Sequence, residues 1–220
     1  MDLLERVGVH IDIPEIPACC GLPAAFAGDR RSADKAIRTN LTFMGTPDDY
    51  DSFLVLCPSC GVALVEEFEK FVGNDESLRE KATEIAKKTK SLSMFLEERG
   101  LKFRSKGNKR VTYHTPCHLA RGLKATAEPY LGQILGDSFA PLNDTDVCCG
   151  FAGSYSIDFP GISSGILDKK VEQIKKSGAD IVVTECPGCV MQIESGILRN
   201  QLPIQVMHLS DYLTTLEIGD

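Results

Sequence analysis

Apolar and polar positions along this chain switch repeatedly between a period of two and a period near that of a helix, which predicts strands and helices in alternation. Val7 to Ile13 alternates apolar and polar, and Pro14 ends the run, so a strand is expected there. Asp29 to Phe43 carries a helical pattern with Asp29 near a capping position. Ser52 to Leu56 reads as a short apolar strand that leads straight into Cys57. Val62 to Val72 is helical in pattern, and Ser77 to Arg99 reads as one longer helix, rich in Lys and Glu and ended by Gly100. Further on, Val111 to Tyr113 is a strand leading to Cys117, and Ala120 to Leu135 is mostly helical, with Pro129 expected to kink or interrupt it. Phe139 to Leu142 is a strand, Ile162 to Lys176 a helix with Gly178 at its end, and Ala179 to Thr184 a strongly apolar strand running to Cys186. Val190 to Leu198 is helical, Ile204 to Met207 a last strand, and Ser210 to Leu216 a short helix.

This order predicts an α/β fold of two pseudo-repeated, Rossmann-like halves. Continuous apolar strands between helices imply small parallel sheets covered on both faces. Residues 1–101 form the first half and 111–220 the second, with the basic, Gly-containing stretch 102–110 as linker. The cysteines then fall at the carboxyl ends of strands, where open α/β sheets place ligands.

Composition narrows the function. Apolar residues make up 43% of the chain, enough for a real core, and charged residues at 25% are mixed in sign, which argues against disorder. The net charge of −7 disfavours nucleic acid, because phosphate binding needs a basic face. Apolar stretches such as Phe53 to Leu56 are too short to span a bilayer, and Met1 to Arg6 shows no secretory signal. A cytoplasmic protein is expected, with peripheral attachment to the inner face of the membrane open through partners. Nine cysteines are too many for ordinary core use, and an odd count without a signal peptide argues against a complete disulfide framework.

Their positions repeat. Cys148 follows Cys19 by 129 positions, and the same separation holds for Cys149 and Cys20, Cys186 and Cys57, and Cys189 and Cys60. The flanks agree: Cys-Cys-Gly occurs at 19–21 and 148–150, and Cys-Pro-x-Cys at 57–60 and 186–189. This is an internal duplication. The ninth cysteine, Cys117, lies 31 positions before Cys148, and its counterpart falls ahead of Met1. The first half is therefore expected to lack its opening segment, or the chain to be a fragment of a longer protein.

Each Cys-Pro-x-Cys places two thiols on one tight turn, with Pro58 or Pro187 suited to the first turn of a following helix. The N-terminus of that helix stabilises thiolates and an anionic cluster. Adjacent cysteines fit poorly as two corners of one tetrahedral zinc, whereas a multi-iron cluster is large enough to be reached from both. The second half supplies five thiols where structural zinc or an ordinary cubane uses four, which invites an opened cluster with a bridging thiolate. A zinc-ribbon-like site, thioredoxin-like chemistry at Cys57 and Cys60, and purely structural buried cysteines remain alternatives. Haem c attachment is excluded, since neither Cys-x-x-Cys is followed by His. His114 and His118 flank Cys117 and are candidates for hydrogen bonds to cluster sulfur. Gly150, Gly153, Ser154 and Tyr155 are candidates for contacts to sulfur or substrate, or form an ordinary loop. The Lys/Glu-rich stretch from Ser77 reads most simply as a solvated face.

The spacing Cys-Cys-Gly, then Cys-x-x-Cys after the 36 residues that separate Cys20 from Cys57, resembles the cysteine-rich CCG domain. That domain occurs twice in the catalytic subunit of heterodisulfide reductase and in the iron–sulfur subunits of glycolate oxidase, lactate oxidation complexes and anaerobic glycerol-3-phosphate dehydrogenase. The resemblance implies that Cys117, Cys148, Cys149, Cys186 and Cys189 bind a noncubane [4Fe–4S] cluster. Cys19, Cys20, Cys57 and Cys60 are left for a second cluster, a zinc, or nothing. Stretches 19–24, 114–119 and 148–153 look most like the glycolate and lactate oxidase subunits. The ferredoxin-like segment that often precedes the duplicated module in those subunits is absent here, so the resemblance implies the carboxyl-terminal module alone or a short stand-alone version. The first expectation is therefore an electron-transfer subunit of a 2-hydroxyacid dehydrogenase complex. Its partners would be a flavoprotein dehydrogenase subunit and a ferredoxin-like iron–sulfur subunit. No Gly-x-Gly-x-x-Gly follows a strand, so chemistry on the hydroxyacid is expected in the partner. A disulfide reductase with an exposed cluster iron, and a zinc-stabilised interaction module, are the competing readings.

Overall fold

The computed structural model describes residues 2–15, 18–105, 107–143, 145 and 147–219. The fold is α/β, as the alternating pattern predicts. Strands β1 (Phe53–Val55) and β2 (Thr89–Ser91) pair in parallel in the first half. After β3 (Phe103–Arg104) come β4 (Val111–Tyr113), β5 (Ile181–Thr184) and β6 (Gln205–His208), which form a three-stranded parallel sheet with β5 in the centre. Strand β7 (Glu217–Ile218) pairs antiparallel with β3. The short β3 thus lies inside the stretch expected as a linker, and Phe103 is buried there.

Both sheets are covered on both faces, and the alternation of side chains shows how. Ile181 and Val183 enter the same core as Val111 and Tyr113, while Val182 points to the opposite core with Ile193 and Ile197 of helix Pro187–Arg199. In β1, Phe53 and Val55 pack toward Phe68, Ile37 and Ala63, while Leu54 packs toward the core on the other side. That other core is shared between the halves. Leu92, Phe95 and Leu96 of helix Leu92–Glu98 lie with Tyr113, Leu131, Ile181, Val183 and Leu213. A side chain as fully buried as Leu96 stabilises by about 1.5–3 kcal/mol, so this shared layer fixes how the halves meet.

Several elements differ from expectation. Ser77–Arg99 is two helices, Glu76–Lys88 and Leu92–Glu98, with β2 between them. Thr89, Lys90 and Ser91 leave helical geometry to pair with β1, and the Ser91 hydroxyl then caps the second helix by accepting from the Met94 N–H. The alternating Val7–Ile13 forms no strand, and its burial alternates without a sheet partner. Ala120–Leu135 is interrupted at residues 123–127, and Pro129 stands in the first turn of the helix that follows, Glu128–Leu135. Phe139–Leu142 shrinks to a single bridge between Phe139 and Val111. Elsewhere the caps act as the pattern suggests: Asp29 accepts from the Ser32 N–H at 3.0 Å to open helix Arg30–Phe43, and Gly178 at φ 67° closes helix Pro160–Ser177.

The duplication is visible in backbone detail. Gly21 has φ 85° and Gly150 φ 92°. A Cβ on Gly21 would lie 3.1 Å from the Ala33 carbonyl oxygen, and one on Gly150 only 2.5 Å from the Ser163 carbonyl oxygen. Each glycine lets a Cys-Cys pair lie against a long helix further along its own half, Arg30–Phe43 or Pro160–Ser177. Gly150→Ala is expected to destabilise the fold by about 2–4 kcal/mol, backbone strain and overlap together. Gly153→Ala, at φ 61° with open space around it, should cost only about 1 kcal/mol. Chemical denaturation of the two variants measures the difference, and equal losses would contradict the close-approach argument.

Candidate metal centre

The strand ends bring the cysteines together. Cys57 follows β1 after Leu56, and Cys186 follows β5 after Glu185. Each cysteine is the extended residue before a helix whose first residue is proline, Pro58 in one half and Pro187 in the other. The Cys60 and Ser59 N–H groups donate to the Cys57 sulfur, and the Cys189 N–H donates to the Cys186 sulfur. The Gly150 N–H donates to Cys148 Sγ at 3.3 Å. Backbone dipoles therefore face sulfur in both halves.

The thiols form one continuous row across the molecule. Cys117 meets Cys148, which meets Cys149. Cys149 Sγ lies 3.3 Å from Cys189 Sγ, and Cys189 meets Cys186. Cys186 then meets Cys57 of the first half, followed by Cys60, Cys20 and the exposed Cys19. Every cysteine singled out from the sequence thus stands in this row, and the two Cys-Pro-x-Cys turns neighbour each other at its middle.

Thiols in a row cannot all ionise, because each new thiolate repels the last. Contacts from Cys186 and Cys60 draw the Cys57 thiol down to about 2, and contacts from Cys117 and Cys149 do the same for Cys148, to about 2. The contact from Cys60 lowers Cys20 to about 7. Other thiols move the other way. Cys60, Cys117 and Cys189 are pushed up, each first by contact with a neighbouring thiol, and Cys149 rises to about 12 beside Cys148. A bound cation removes this conflict by taking all of them as thiolates. The donor set is soft sulfur, which suits zinc, iron or an iron–sulfur cluster and not a hard cation.

His114 joins this set. It is fully buried, and its ring, Cys149 and Cys189 present ligand atoms all within 4.8 Å of one another. His114 Nδ1 lies 3.2 Å from the Thr145 carbonyl oxygen, so that nitrogen carries the hydrogen in this contact. His118, the other flanking histidine, turns away to the first half and hydrogen-bonds Ser59 at 2.6 Å through Nδ1. Gly150 contacts sulfur as expected, whereas Tyr155 opens a short exposed helical turn and stacks on Phe159. A single π-type turn follows each of Cys60 and Cys117, at Ala63–Glu67 and His118–Gly122. The second of these packs so closely on the first half that a Cβ on Gly122 would meet the Val62 side chain at 2.2 Å.

The comparisons agree with this architecture. A family model described as a cysteine-rich domain, CCG, matches residues 1–65 and 111–194. The chain belongs to the CCG cysteine-rich domain family. Among curated relatives, Lactate utilization protein A of Shouchella clausii is 34% identical over 222 residues, covering 99% of this chain and 91% of that protein. The proteins of the same name from Geobacillus sp. (strain WCH70) and Bacillus subtilis (strain 168) are 34% and 32% identical and cover 98% of this chain. The two CCG matches correspond to the two halves of the thiol row. No helix among the described residues is long and apolar enough to cross a membrane.

Two polar residues beside the CCG motifs were not among the candidates drawn from the sequence. Glu185 ends β5 and is buried; its carboxylate accepts from the Ser93 N–H at 2.8 Å and the Ser93 hydroxyl at 2.9 Å. His208 ends β6 and reaches the backbone ahead of both Cys-Pro-x-Cys turns. The one sequence signal for Glu185 was a charged residue closing an otherwise apolar run. Burial pushes the Glu185 carboxyl up from 4.5 to about 7, although Ser93 pulls it down. As pH rises from about 4.5 to 7, the unfolded chain ionises this group while the folded protein keeps it neutral. Stability is therefore lost across that window, by about 3 kcal/mol once complete. Glu185→Gln keeps both partners of Ser93 and should abolish that slope in metal-free protein. Denaturation midpoints for the two proteins between pH 5 and 7.5 test this, and parallel profiles would refute it.

Proposed function

We propose that this chain is the iron–sulfur electron-transfer module of a 2-hydroxyacid oxidation system acting on lactate or glycolate. The observation that carries the reading is the unbroken row of nine thiols, with backbone N–H groups aimed at sulfur in both halves. The relatives named Lactate utilization protein A support the substrate class, since they align with the chain over nearly its whole length.

On this reading, Cys117, Cys148, Cys149, Cys186 and Cys189 hold a [4Fe–4S] cluster of the noncubane type. Cys19, Cys20, Cys57 and Cys60 provide a second site for a cluster or a zinc. A cluster held there supplies one-electron acceptance and donation. The protein's own residues keep the thiols reactive toward metal, exclude bulk water from the Cys149 and Cys189 side, and present Cys19 at the surface. The proximity of Cys57 and Cys186 gives electrons a short path between the halves. A flavoprotein dehydrogenase performs the two-electron oxidation of the hydroxyacid and hands electrons on singly, and a ferredoxin-like subunit or another acceptor takes them onward.

Anaerobically purified protein is expected to be brown and to contain iron and acid-labile sulfide in comparable amounts. Cys149→Ser together with Cys189→Ser should remove the second-half iron. Stoichiometric zinc without sulfide would replace the reading with a zinc-stabilised module. The isolated protein should leave lactate and glycolate unchanged, and its visible absorbance should bleach when a lactate-reduced flavoprotein is added. Spectral change on adding a disulfide to the reduced protein, with no response to the flavoprotein, would favour a disulfide reductase instead.

A further inference from the structure

We propose that His208 is a positioning residue for the sulfur row: one ring nitrogen ties together the two backbone carbonyls that precede the two Cys-Pro-x-Cys turns, and so holds Cys57 against Cys186. His208 Nε2 lies 2.9 Å from the Leu56 carbonyl oxygen and 2.9 Å from the Glu185 carbonyl oxygen. Carbonyls only accept, so Nε2 carries the hydrogen and shares it between them. The other nitrogen, Nδ1, faces the Ser210 backbone N–H at 3.2 Å and the Ser210 hydroxyl at 2.8 Å. A backbone N–H only donates, so Nδ1 holds the lone pair. Both ends of the ring demand the same neutral tautomer.

The duplication shows what is special about this residue. Leu56 and Glu185 are separated by the same 129 positions as the cysteines that follow them, so the ring joins duplicate points of the two halves. In register, Ser91 pairs with Val55 and His208 with Thr184, and those partners are again 129 apart. Ser91 and His208 thus occupy one place in the repeat, at the end of the second parallel strand. Each also caps the helix that follows, Leu92–Glu98 or Leu209–Thr214. A serine hydroxyl is long enough for the cap alone. An imidazole makes the cap with one nitrogen and crosses to both turns with the other. Leu56 is about half exposed, at 51%, so without the ring its carbonyl can turn to water and take Cys57 with it.

This inference deepens the electron-transfer reading and rests on it for the identity of the bound group alone. The test separates the two roles of the ring. In His208→Asn the side-chain oxygen still caps the Ser210 N–H, but the shorter side chain cannot reach the two carbonyls. Metal-free protein is treated with a short bifunctional thiol reagent and cross-linked peptides are mapped by mass spectrometry. The Cys117–Cys148 cross-link, within one half, partly exposed and at the far end of the row from the ring's contacts, serves as the internal reference. The Cys57–Cys186 cross-link is expected to fall at least about fivefold relative to that reference in His208→Asn. Thermal unfolding should stay close to that of the unsubstituted protein. An unchanged ratio, or a parallel loss of both cross-links, would overturn the positioning role. In iron-loaded protein the same variant should shift the electron paramagnetic resonance spectrum of the reduced state. Failure of the electron-transfer reading would show separately, as absence of iron and sulfide in the unsubstituted protein, and the cross-link ratio would still decide the role of His208.

Discussion

The carboxyl ends of two parallel sheets face each other, and everything at the candidate centre depends on that meeting. Strands β1 and β5 each deliver a Cys-Pro-x-Cys turn to the same region, where Cys57 and Cys186 are neighbours. Hydrophobic burial brings them there. Helix Leu92–Glu98 belongs to the first half by sequence, yet its Leu92, Phe95 and Leu96 share a core with the second-half sheet. The polar contacts at the seam then set the register. Glu185 holds the start of that helix through Ser93, Ser59 holds His118, and His208 bridges the two turns. Removing the apolar layer would separate the halves, while removing one polar contact would only loosen their alignment. Those effects differ in size because buried area acts collectively, whereas each hydrogen bond has nearly as good a partner in water.

A metal centre made of thiols sets a second condition. In the protein alone, Cys57 and Cys148 are the favoured thiolates, and the thiols between them, Cys149, Cys189 and Cys186, are held toward the protonated form. A metal bound there would have to release the remaining protons, so its affinity would rise with pH and part of the folding stability would reside in the bound group. The N–H groups at the two helix starts and at Gly150 favour thiolate in advance. Burial of Cys149 and Cys189 works against ionisation until a cation arrives. This combination favours a resident cofactor over an easily exchanged ion.

The sequence carried the site more legibly than the fold around it. A common offset of 129 in four cysteine pairs is independent of any structural assignment, and the row contains all nine. Strands that run into cysteines, and prolines that begin helices, were also legible because both rest on short-range chemistry. The misread elements depend on distant partners. Residues 89–91 have helical neighbours on both sides and become a strand only because β1 lies beside them. Val7–Ile13 has strand periodicity and no edge to join. His208 and Glu185 could not be picked out because each acts on groups far away in sequence, His208 on two carbonyls and Glu185 on the Ser93 N–H and hydroxyl, and such partners leave no trace in local side-chain spacing.

The two halves are unequal in a way that follows from one position of the repeat. At the end of the second parallel strand, the first half has Ser91 and the second has His208. Ser91 and Ser93 lie beside Glu185, so on that side a carboxylate from the second half reaches into the first. His208 reaches back the other way, to Leu56. Each half therefore lends a polar group to the other, Glu185 to the helix start at Ser93 and His208 to the backbone ahead of Cys57. An exact copy with serine at both positions would lack the group that spans the two carbonyls. An exact copy with histidine at both would place a second ring where Ser93 now meets the buried Glu185 carboxyl. The two halves thus differ at the one place in the repeat from which a side chain reaches the backbone ahead of both turns.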